Sequence, residues 1–305
     1  MAKSQRTVTE SAAWAGVRLT RPWNVLMIVA AMYLTTESLM SPPWERPETL
    51  GVFALGTLAM ATLAAGANVI NDYFDVAEDR VNRPDRALVG RVITRRQTML
   101  LNYALTGVSI LSTGGVCWAS GTLLPLAWMA VLGTLLWGYS PWFKRRFLRG
   151  NIVITLSVAQ LPLWCVLLNF PHDLTSAAQW LNSLQGGVLL TYVGLSGYVT
   201  LLREITKDWQ DAAGDGAAGY DTLPVRWSEK RTNSLLQVLH WAGWLLMGLA
   251  WWASYRWLHR PVSPMFFVLP YAAVHLQLTR GQIASVSAWQ KLTLAGGLVY
   301  LAGML

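Results

Sequence analysis

The sequence predicts an all-α polytopic membrane protein with about nine transmembrane helices around a central cavity. Of its 305 residues, 53% are hydrophobic and only 13% are charged, whereas an average soluble domain carries about 25% charged residues. Apolar segments of about twenty residues recur along the whole chain, and the basic residues fall in alternate loops. This composition argues against a disordered chain and against a large soluble enzyme.

Nine apolar segments are long enough, or nearly so, to cross a hydrocarbon core of about 30 Å. The eighth is the weakest, because it is short and contains Pro264 and Pro270. We expect one membrane-embedded domain over residues 1–305, preceded at its start by a cytoplasmic segment, 1–21. The predicted spans are 22–40, 52–70, 98–119, 122–140, 151–169, 186–203, 235–255, 264–279 and 290–305.

The distribution of basic residues predicts the orientation in the membrane. With nine spans, all but three of the 24 Lys and Arg fall on one side, the exceptions being Arg46, Arg256 and Arg260. The positive-inside rule makes the basic side cytoplasmic. The N-terminus is then cytoplasmic and the C-terminus lies opposite, in a membrane that we expect to be a prokaryotic plasma membrane. The net charge of +8 therefore reflects topology and contact with membrane lipids, and no nucleic-acid partner is predicted.

Two acidic rows with the pattern Asp-x2-Asp-x3-Asp follow the second and sixth spans. They lie in predicted cytoplasmic cap loops, 71–97 and 204–234, and corresponding residues are 136 positions apart. This repeat suggests two pseudo-equivalent four-helix halves and a ninth, additional helix. The first row is Asp72, Asp75 and Asp79, and the second row is Asp208, Asp211 and Asp215.

The spacing of each row indicates a binding site. Steps of three and four place a row on one face of a helix. Three like charges there repel one another and need a positive counterpart. Mg²⁺ fits, because it takes oxygen ligands and commonly binds through carboxylates and substrate phosphates. A solvated acidic patch would explain one row, but two rows with identical spacing favour two or three Mg²⁺ ions around a diphosphate.

Basic side chains lie close to both rows, and Arg and Lys are the natural phosphate-binding side chains. We expect Arg86, Lys144, Arg203 and Lys207 to contact phosphate.

These motifs resemble those of the UbiA family of intramembrane prenyltransferases. The stretch Asn71–Asp79 matches the family's NDxxDxxxD signature, and Tyr139, Ser140 and Lys144 match its Y-S-x-x-x-K segment. Arg21, Pro22 and Asn24 fit the start of the first helix. The stretch NRPDRAL is also similar to the family's, although Ala87 stands where Pro is usual. The segment REITKDWQDAAGD…TLP resembles the branch whose acceptor is geranylgeranylglyceryl phosphate.

The resemblance implies a Mg²⁺-dependent prenyl transfer from a polyprenyl diphosphate to a membrane-associated acceptor, with release of diphosphate. It implies an acceptor that is a glycerol ether phosphate, and a catalytic centre formed by Asp72, Asp75, Asp208, Asp211 and Tyr139. The implied metal ligands are Asn68, Asp72, Asp75 and Asp79 for one ion and Asp208, Asp211 and Asp215 for the other. The implied substrate contacts are Asn71, Arg86, Lys144, Arg203, Lys207, Arg21 and Asn24.

Two other functions are compatible with the sequence. The acceptor could be aromatic, such as a hydroxybenzoate or a quinone precursor. The protein could instead be an ion-coupled transporter, since acidic helix residues and internal symmetry occur in such carriers, whose sites lie near the bilayer midplane. Here the acidic residues lie at one membrane face and run into loops, which favours an enzyme whose substrate head group arrives from the cytoplasm.

Overall fold

The prediction of an all-α fold is confirmed. The computed structural model describes residues 11–40, 45, 47–82, 87–170, 172–258 and 264–303. These residues form helices and no β-strand, with one isolated bridge between Val89 and Ile93. The helices are α1 (Ala12–Leu19), α2 (Pro22–Leu39), α3 (Pro47–Phe74), α4 (Val76–Asn82), α5 (Arg95–Ser120), α6 (Leu124–Gly138), α7 (Arg149–Ala159), α8 (Leu161–Asn169), α9 (Leu174–Leu181), α10 (Leu184–Ala217), α11 (Leu223–Arg226), α12 (Glu229–Leu258), α13 (Met265–Thr279) and α14 (Val286–Ala302).

Each predicted span overlaps a helix among the described residues, although the boundaries differ. The predicted span 151–169 is divided into α7 and α8 at Gln160, two residues before Pro162. The predicted cap loops are largely helical: α10 continues through the second acidic row to Ala217, and α4 follows α3 after Phe74. The apolar segments end before these extensions, but the steps of three and four within each acidic row predicted helix there.

The fold is that of an integral membrane protein. Four helical segments are long and apolar enough to cross a membrane, namely Thr49–Phe74, Arg95–Ser120, Arg149–Asn169 and Leu184–Ala217. Large apolar side chains also point outward, as at Trp118, which is 91% exposed. Such an apolar surface is stable against the hydrocarbon interior of a membrane, whereas it would be unfavourable in water. The count of nine spans stays a prediction.

Packing of the helices leaves the acidic rows at one end of the molecule. Helix α3 packs along α5, and α10 lies against α7, α12 and α14. One core joins α2, α3 and α8 around the fully buried Met32 and Trp164. A second core joins α10, α12 and α13 around Leu202, Leu236 and Tyr271. These cores fix α3 and α10, the two helices that carry the first and second rows.

A π-helical turn, Tyr139–Phe143, connects α6 to the loop before α7. Its closing bond runs from the Lys144 N–H to the Tyr139 carbonyl at 2.7 Å. Pro141 has no N–H with which to continue the α-helical pattern, which favours the wider turn. The turn contacts α3 and α7, so it brings the Y-S-x-x-x-K segment to the first acidic row.

Candidate active site

The first acidic row follows a helix that is briefly interrupted. Asp72 lies in the last turn of α3, Asp75 lies between α3 and α4, and Asp79 lies within α4. Bonds from the Asp75 N–H to the Asn71 carbonyl (2.9 Å) and from the Asp79 N–H to the Asp75 carbonyl (2.8 Å) preserve helical spacing across the interruption. The three carboxylates therefore keep nearly the common face that the spacing predicted.

The second row lies entirely within α10. Asp215 is buried, and Asp208 accepts a 2.8 Å hydrogen bond from the Asn151 amide on α7. The two rows thus have the same sequence spacing but different backbones, one interrupted and one continuous. The proposed equivalence of the two halves stays a prediction.

Lys144 brings the π-helical turn to the first row. Its Nζ lies 2.6 Å from Asp75 Oδ2, with the two side chains only 20% and 6% exposed. Burial alone would lower the pKa of the Lys144 ammonium, but Asp75, with help from Asp215 of the second row, raises it above its usual value. Lys144 therefore stays positively charged between the rows. The same turn supplies Ser140, whose hydroxyl donates to Asn71 Oδ1 at 2.8 Å.

Asn82 joins the ends of the two rows. Its amide donates to the Asp211 carbonyl at 3.3 Å and accepts from the Gly214 N–H at 3.0 Å. An added Cβ at Gly214 would collide with the Asn82 side chain, so a larger residue there would have to displace this amide. The contact sets the spacing between α4 and α10, and with it the spacing of the rows.

A second polar contact joins α4 to the segment that follows α10. The Tyr220 hydroxyl donates a hydrogen bond to Glu78 Oε1, and Glu78 is buried in α4. The other oxygen, Oε2, finds no hydrogen-bond partner among the described residues. Lys144 and Arg145 lie over the Tyr220 ring, at 5.9 and 5.3 Å from its centroid. Glu78 adds a seventh carboxylate to the six that the spacing identified.

Arg21, directly before α2, forms an ion pair with the first acidic row. Its guanidinium lies 2.5 Å from Asp72 Oδ1. The Arg21 backbone has a φ of 52°, in the left-handed region that residues before proline rarely occupy. Such strain persists only where surrounding contacts hold it, and it is common at functional sites. Asn68 supports this corner by donating to the Thr20 carbonyl at 3.1 Å.

Arg203 and Lys207 both bind Glu204, which is buried in α10. The contacts are 2.6 Å from Arg203 Nη1 and 2.9 Å from Lys207 Nζ. Asn24 accepts a 3.3 Å contact from Lys291 on α14. These residues lie together where α2, α10 and α14 meet.

The structure brings most of the predicted site residues together. Tyr139 lies within electrostatic range of Asp75, Asp208 and Asp215, so it sits between the rows. Arg86 lies outside the described residues. Among the described residues, no three Asp, Glu, His or Cys side chains converge closely enough to form a metal cage unaided. The assigned roles in metal binding and catalysis stay predictions.

Sequence reasoning missed three contacts of the site. Glu78 directly precedes Asp79 and does not belong to the repeated spacing, so the spacing did not identify it. Asn82 belongs to the NRPDRAL stretch, whose asparagine could have identified it. Lys291 contributed only to the charge bias that predicts the orientation in the membrane, although it is one of the few cations at the start of a predicted span.

Two rows of carboxylates with interleaved cations, at one end of a helical membrane protein, are the arrangement expected of a membrane enzyme that binds an anionic group. Comparisons with known proteins agree. The sequence profile of the UbiA prenyltransferase family matches residues 14–296. The chain belongs to the UbiA prenyltransferase family and is a prenyltransferase.

Individual relatives give the same picture. A digeranylgeranylglyceryl phosphate synthase of Halobacterium salinarum is 34% identical over 212 residues, covering 68% of this chain and 67% of the relative. One of the same name from Methanoregula boonei is 29% identical, covering 76% and 80%. A solved UbiA homologue from Archaeoglobus fulgidus, bound to GPP and Mg²⁺, has a TM-score of 0.59 at 17% identity, covering 94% and 99%. This structural likeness confirms the fold.

Proposed function

We propose that this enzyme transfers a geranylgeranyl group from its diphosphate to the free hydroxyl of geranylgeranylglyceryl phosphate or a similar glycerol ether lipid. The allylic C–O bond of the donor breaks, a new C–O bond forms to the acceptor oxygen, and diphosphate and a proton are released. The observation that carries this proposal is the pair of acidic rows, joined through Asn82 and flanked by Arg21 and Lys144.

The relatives support the choice of substrates. The two described above are named digeranylgeranylglyceryl phosphate synthases. The solved homologue holds GPP, a prenyl diphosphate, together with Mg²⁺. The segment from Arg203 to Asp215 carries the sequence resemblance to this branch.

The residues present fit Mg²⁺. Both rows offer carboxylate oxygens, and Glu78 has a buried oxygen with no hydrogen-bond partner among the described residues. Mg²⁺ usually keeps several waters and binds through one or two carboxylates plus phosphates, so a complete protein cage is not needed. We propose that Asn68, Asp72, Asp75 and Asp79 hold one ion and Asp208, Asp211 and Asp215 another. When bound, the metal would neutralise charge on the leaving diphosphate.

The chain's own residues supply the remaining chemistry. Lys144, held positive beside Asp75, lies where a diphosphate between the rows would develop charge. Arg86 and Arg21 would add further contacts, and Asn71 orients the turn through Ser140. Tyr139, between the rows, would line the reaction centre. The apolar helices exclude water from the allylic carbon, and a carboxylate of either row would take the proton of the acceptor hydroxyl.

We also propose the orientation in the membrane. The site and N-terminus would face the cytoplasm of a prokaryotic cell, with the C-terminus opposite, because the basic loops lie on the side of the acidic rows. Labelling of single cysteines tests this, since Cys117 and Cys165 are buried. Ser228→Cys should react only from the cytoplasmic side and Thr122→Cys only from outside, and the reverse pattern would contradict the orientation.

Substitution of one aspartate in each row tests the function. Asp72→Asn and Asp208→Asn keep the shape of the side chain but remove its charge. Each should reduce diphosphate release by at least about a hundredfold, the usual effect of removing one electrostatic contact of a transition state. Asp173→Asn is the matched control, because that residue caps α9 away from the rows. Retained prenyl transfer in both row variants, with folded protein, would contradict the site assignment.

A further inference from the structure

Three cations gather beside the second acidic row, and we call them the cation cluster: Arg203 and Lys207 on α10 and Lys291 on α14. Lys291 interacts electrostatically with both of the others and with Arg21. Within the cluster, Glu204 is the acid that binds Arg203 and Lys207. The cluster therefore keeps an excess of positive charge.

The nearby acids already have other partners. Asp72 binds Arg21, and Asp208 accepts from Asn151 while lying within electrostatic range of Lys207. The cluster also keeps unused donors. Arg203 Nε is buried and has no hydrogen-bond partner among the described residues. A monophosphate, with several acceptor oxygens, complements such a group.

Lys291 contributes the third cation of the cluster from α14, which packs against α10. Its Nζ is 3.3 Å from the neutral Asn24 Oδ1, and the side chain is exposed. The Lys291 ammonium can therefore reorient to bind an anion, because its long contact to the neutral Asn24 amide is weak.

An apolar cleft begins one helical turn from the cation cluster. It runs between α10, α12, α13 and α14 and has a cavity volume of about 70 Å³. Val199 is four residues before Arg203, and Leu294 is three residues after Lys291, so the lining of the cleft continues the faces that carry the cluster. Other lining residues include Met247, Phe267 and Tyr300.

We propose that the cation cluster and this cleft together form the acceptor site, and this rests on the proposed function. The phosphate of a glycerol ether phosphate would bind the cluster, and the adjoining part of its hydrocarbon chain would lie in the cleft. The prenyl diphosphate would bind separately between the acidic rows. Glu204, which binds both α10 cations, is one helical turn before Asp208, so a phosphate on the cluster places the neighbouring glycerol hydroxyl beside the second row.

Lys291→Ala tests whether the cation cluster binds the phosphate of the acceptor. KM for the glycerol ether phosphate should rise about ten- to a hundredfold, the size expected for one charge-assisted hydrogen bond. KM for the prenyl diphosphate should not change. The increase should disappear with an acceptor that lacks the phosphate, and Lys291→Arg should retain wild-type KM. Arg280→Ala, an exposed change of the same sign at the end of α13, is the matched control.

Gly297→Leu tests the cleft. Gly297 lines it on α14, and a side chain there enters the space beside Tyr192. KM should rise for acceptors with a long hydrocarbon chain and stay near wild type for a short-chain glycerol phosphate ether. Gly194→Leu, on an exposed part of α10 where an added Cβ meets nothing within 4 Å, is the matched control. This variant carries the test if Lys291→Ala fails to fold.

The outcomes separate this inference from the proposed function. Wild-type turnover with an aromatic acceptor only would overturn the proposed function and the inference together. Wild-type turnover with the glycerol ether phosphate, but an unchanged acceptor KM in both variants, would overturn the inference alone. An increase in KM for the prenyl diphosphate in Lys291→Ala would also overturn it, since the cluster would then serve the donor.

Discussion

The contact between Lys144 and Asp75 makes the most specific prediction about the site. Its atoms are 2.6 Å apart and both side chains are largely buried. Replacing Lys144 with Met keeps the aliphatic length but leaves the Asp75 carboxylate without its cation. Breaking a buried ion pair on one side costs about 3–5 kcal/mol. Because Lys144 is one-fifth exposed, we expect the lower end, about 3 kcal/mol.

Thermal unfolding in detergent measures this loss. At about 2–4 °C per kcal/mol, the shift usual for proteins of about 150–250 residues, Lys144→Met should lower the midpoint by roughly 6–12 °C. The double variant Lys144→Met/Asp75→Asn should recover most of that loss, because no uncompensated charge remains, yet it should stay inactive. Equal midpoints for wild type and Lys144→Met would refute the reasoning.

The pH dependence of the same effect has a definite sign. The pKa of Lys144 is raised in the folded protein above its ordinary value of 10.5. Its contribution to the free energy of unfolding is therefore fully present below about pH 10.5 and is lost as pH rises through the higher folded-state value. The difference between wild type and Lys144→Met should stay constant from pH 7 to 10. A difference that vanished by pH 9 would contradict the raised pKa.

Two further predictions concern the contacts that join the rows. Gly214→Ala should slow turnover and destabilise the protein by about 1–3 kcal/mol, since its Cβ collides with Asn82; thermal unfolding and diphosphate release measure this. Tyr220→Phe should cost about 1–3 kcal/mol by leaving Glu78 buried without its donor; thermal unfolding measures this cost.

Each of these predictions has a matched control. Gly216→Ala adds the same methyl group in the same helix, where nothing lies within 4 Å, and it should leave turnover unchanged. Tyr103→Phe removes a hydroxyl from an exposed side chain and should leave stability unchanged. Equal effects in a variant and its control would show that the contacts joining the rows do not set the geometry of the site.

Much of the fold could be predicted from the sequence, because a hydrocarbon solvent imposes length and apolarity on every span. The helical extensions beyond the membrane lack an apolar signature, and only the spacing of the aspartates indicated helix there; the end of α10 at Ala217 and the separate helix α4 could not be predicted. Spacing alone also could not show that the first row is interrupted at Asp75, because the interruption preserves the hydrogen bonds on both sides.

The site was predictable where residues repeat or where a segment resembles the family, as at Lys144, and not at Glu78, which has neither signal. The two rows appear twice with one spacing, so the pattern identified six aspartates. Glu78 and Asn82 make single contacts with residues more than a hundred positions away, Tyr220 and Gly214. Such contacts depend on how α4 packs against α10, which periodicity does not encode.

The central claim is that the acidic rows catalyse prenyl transfer to a glycerol ether phosphate. The most direct test is diphosphate release by the purified protein with geranylgeranyl diphosphate, Mg²⁺ and a panel of acceptors, with EDTA as a control. We predict release with geranylgeranylglyceryl phosphate that EDTA abolishes and that no aromatic acceptor supports. Release with an aromatic acceptor alone would contradict the acceptor, and no release with any acceptor by folded protein would contradict the catalytic role of the rows.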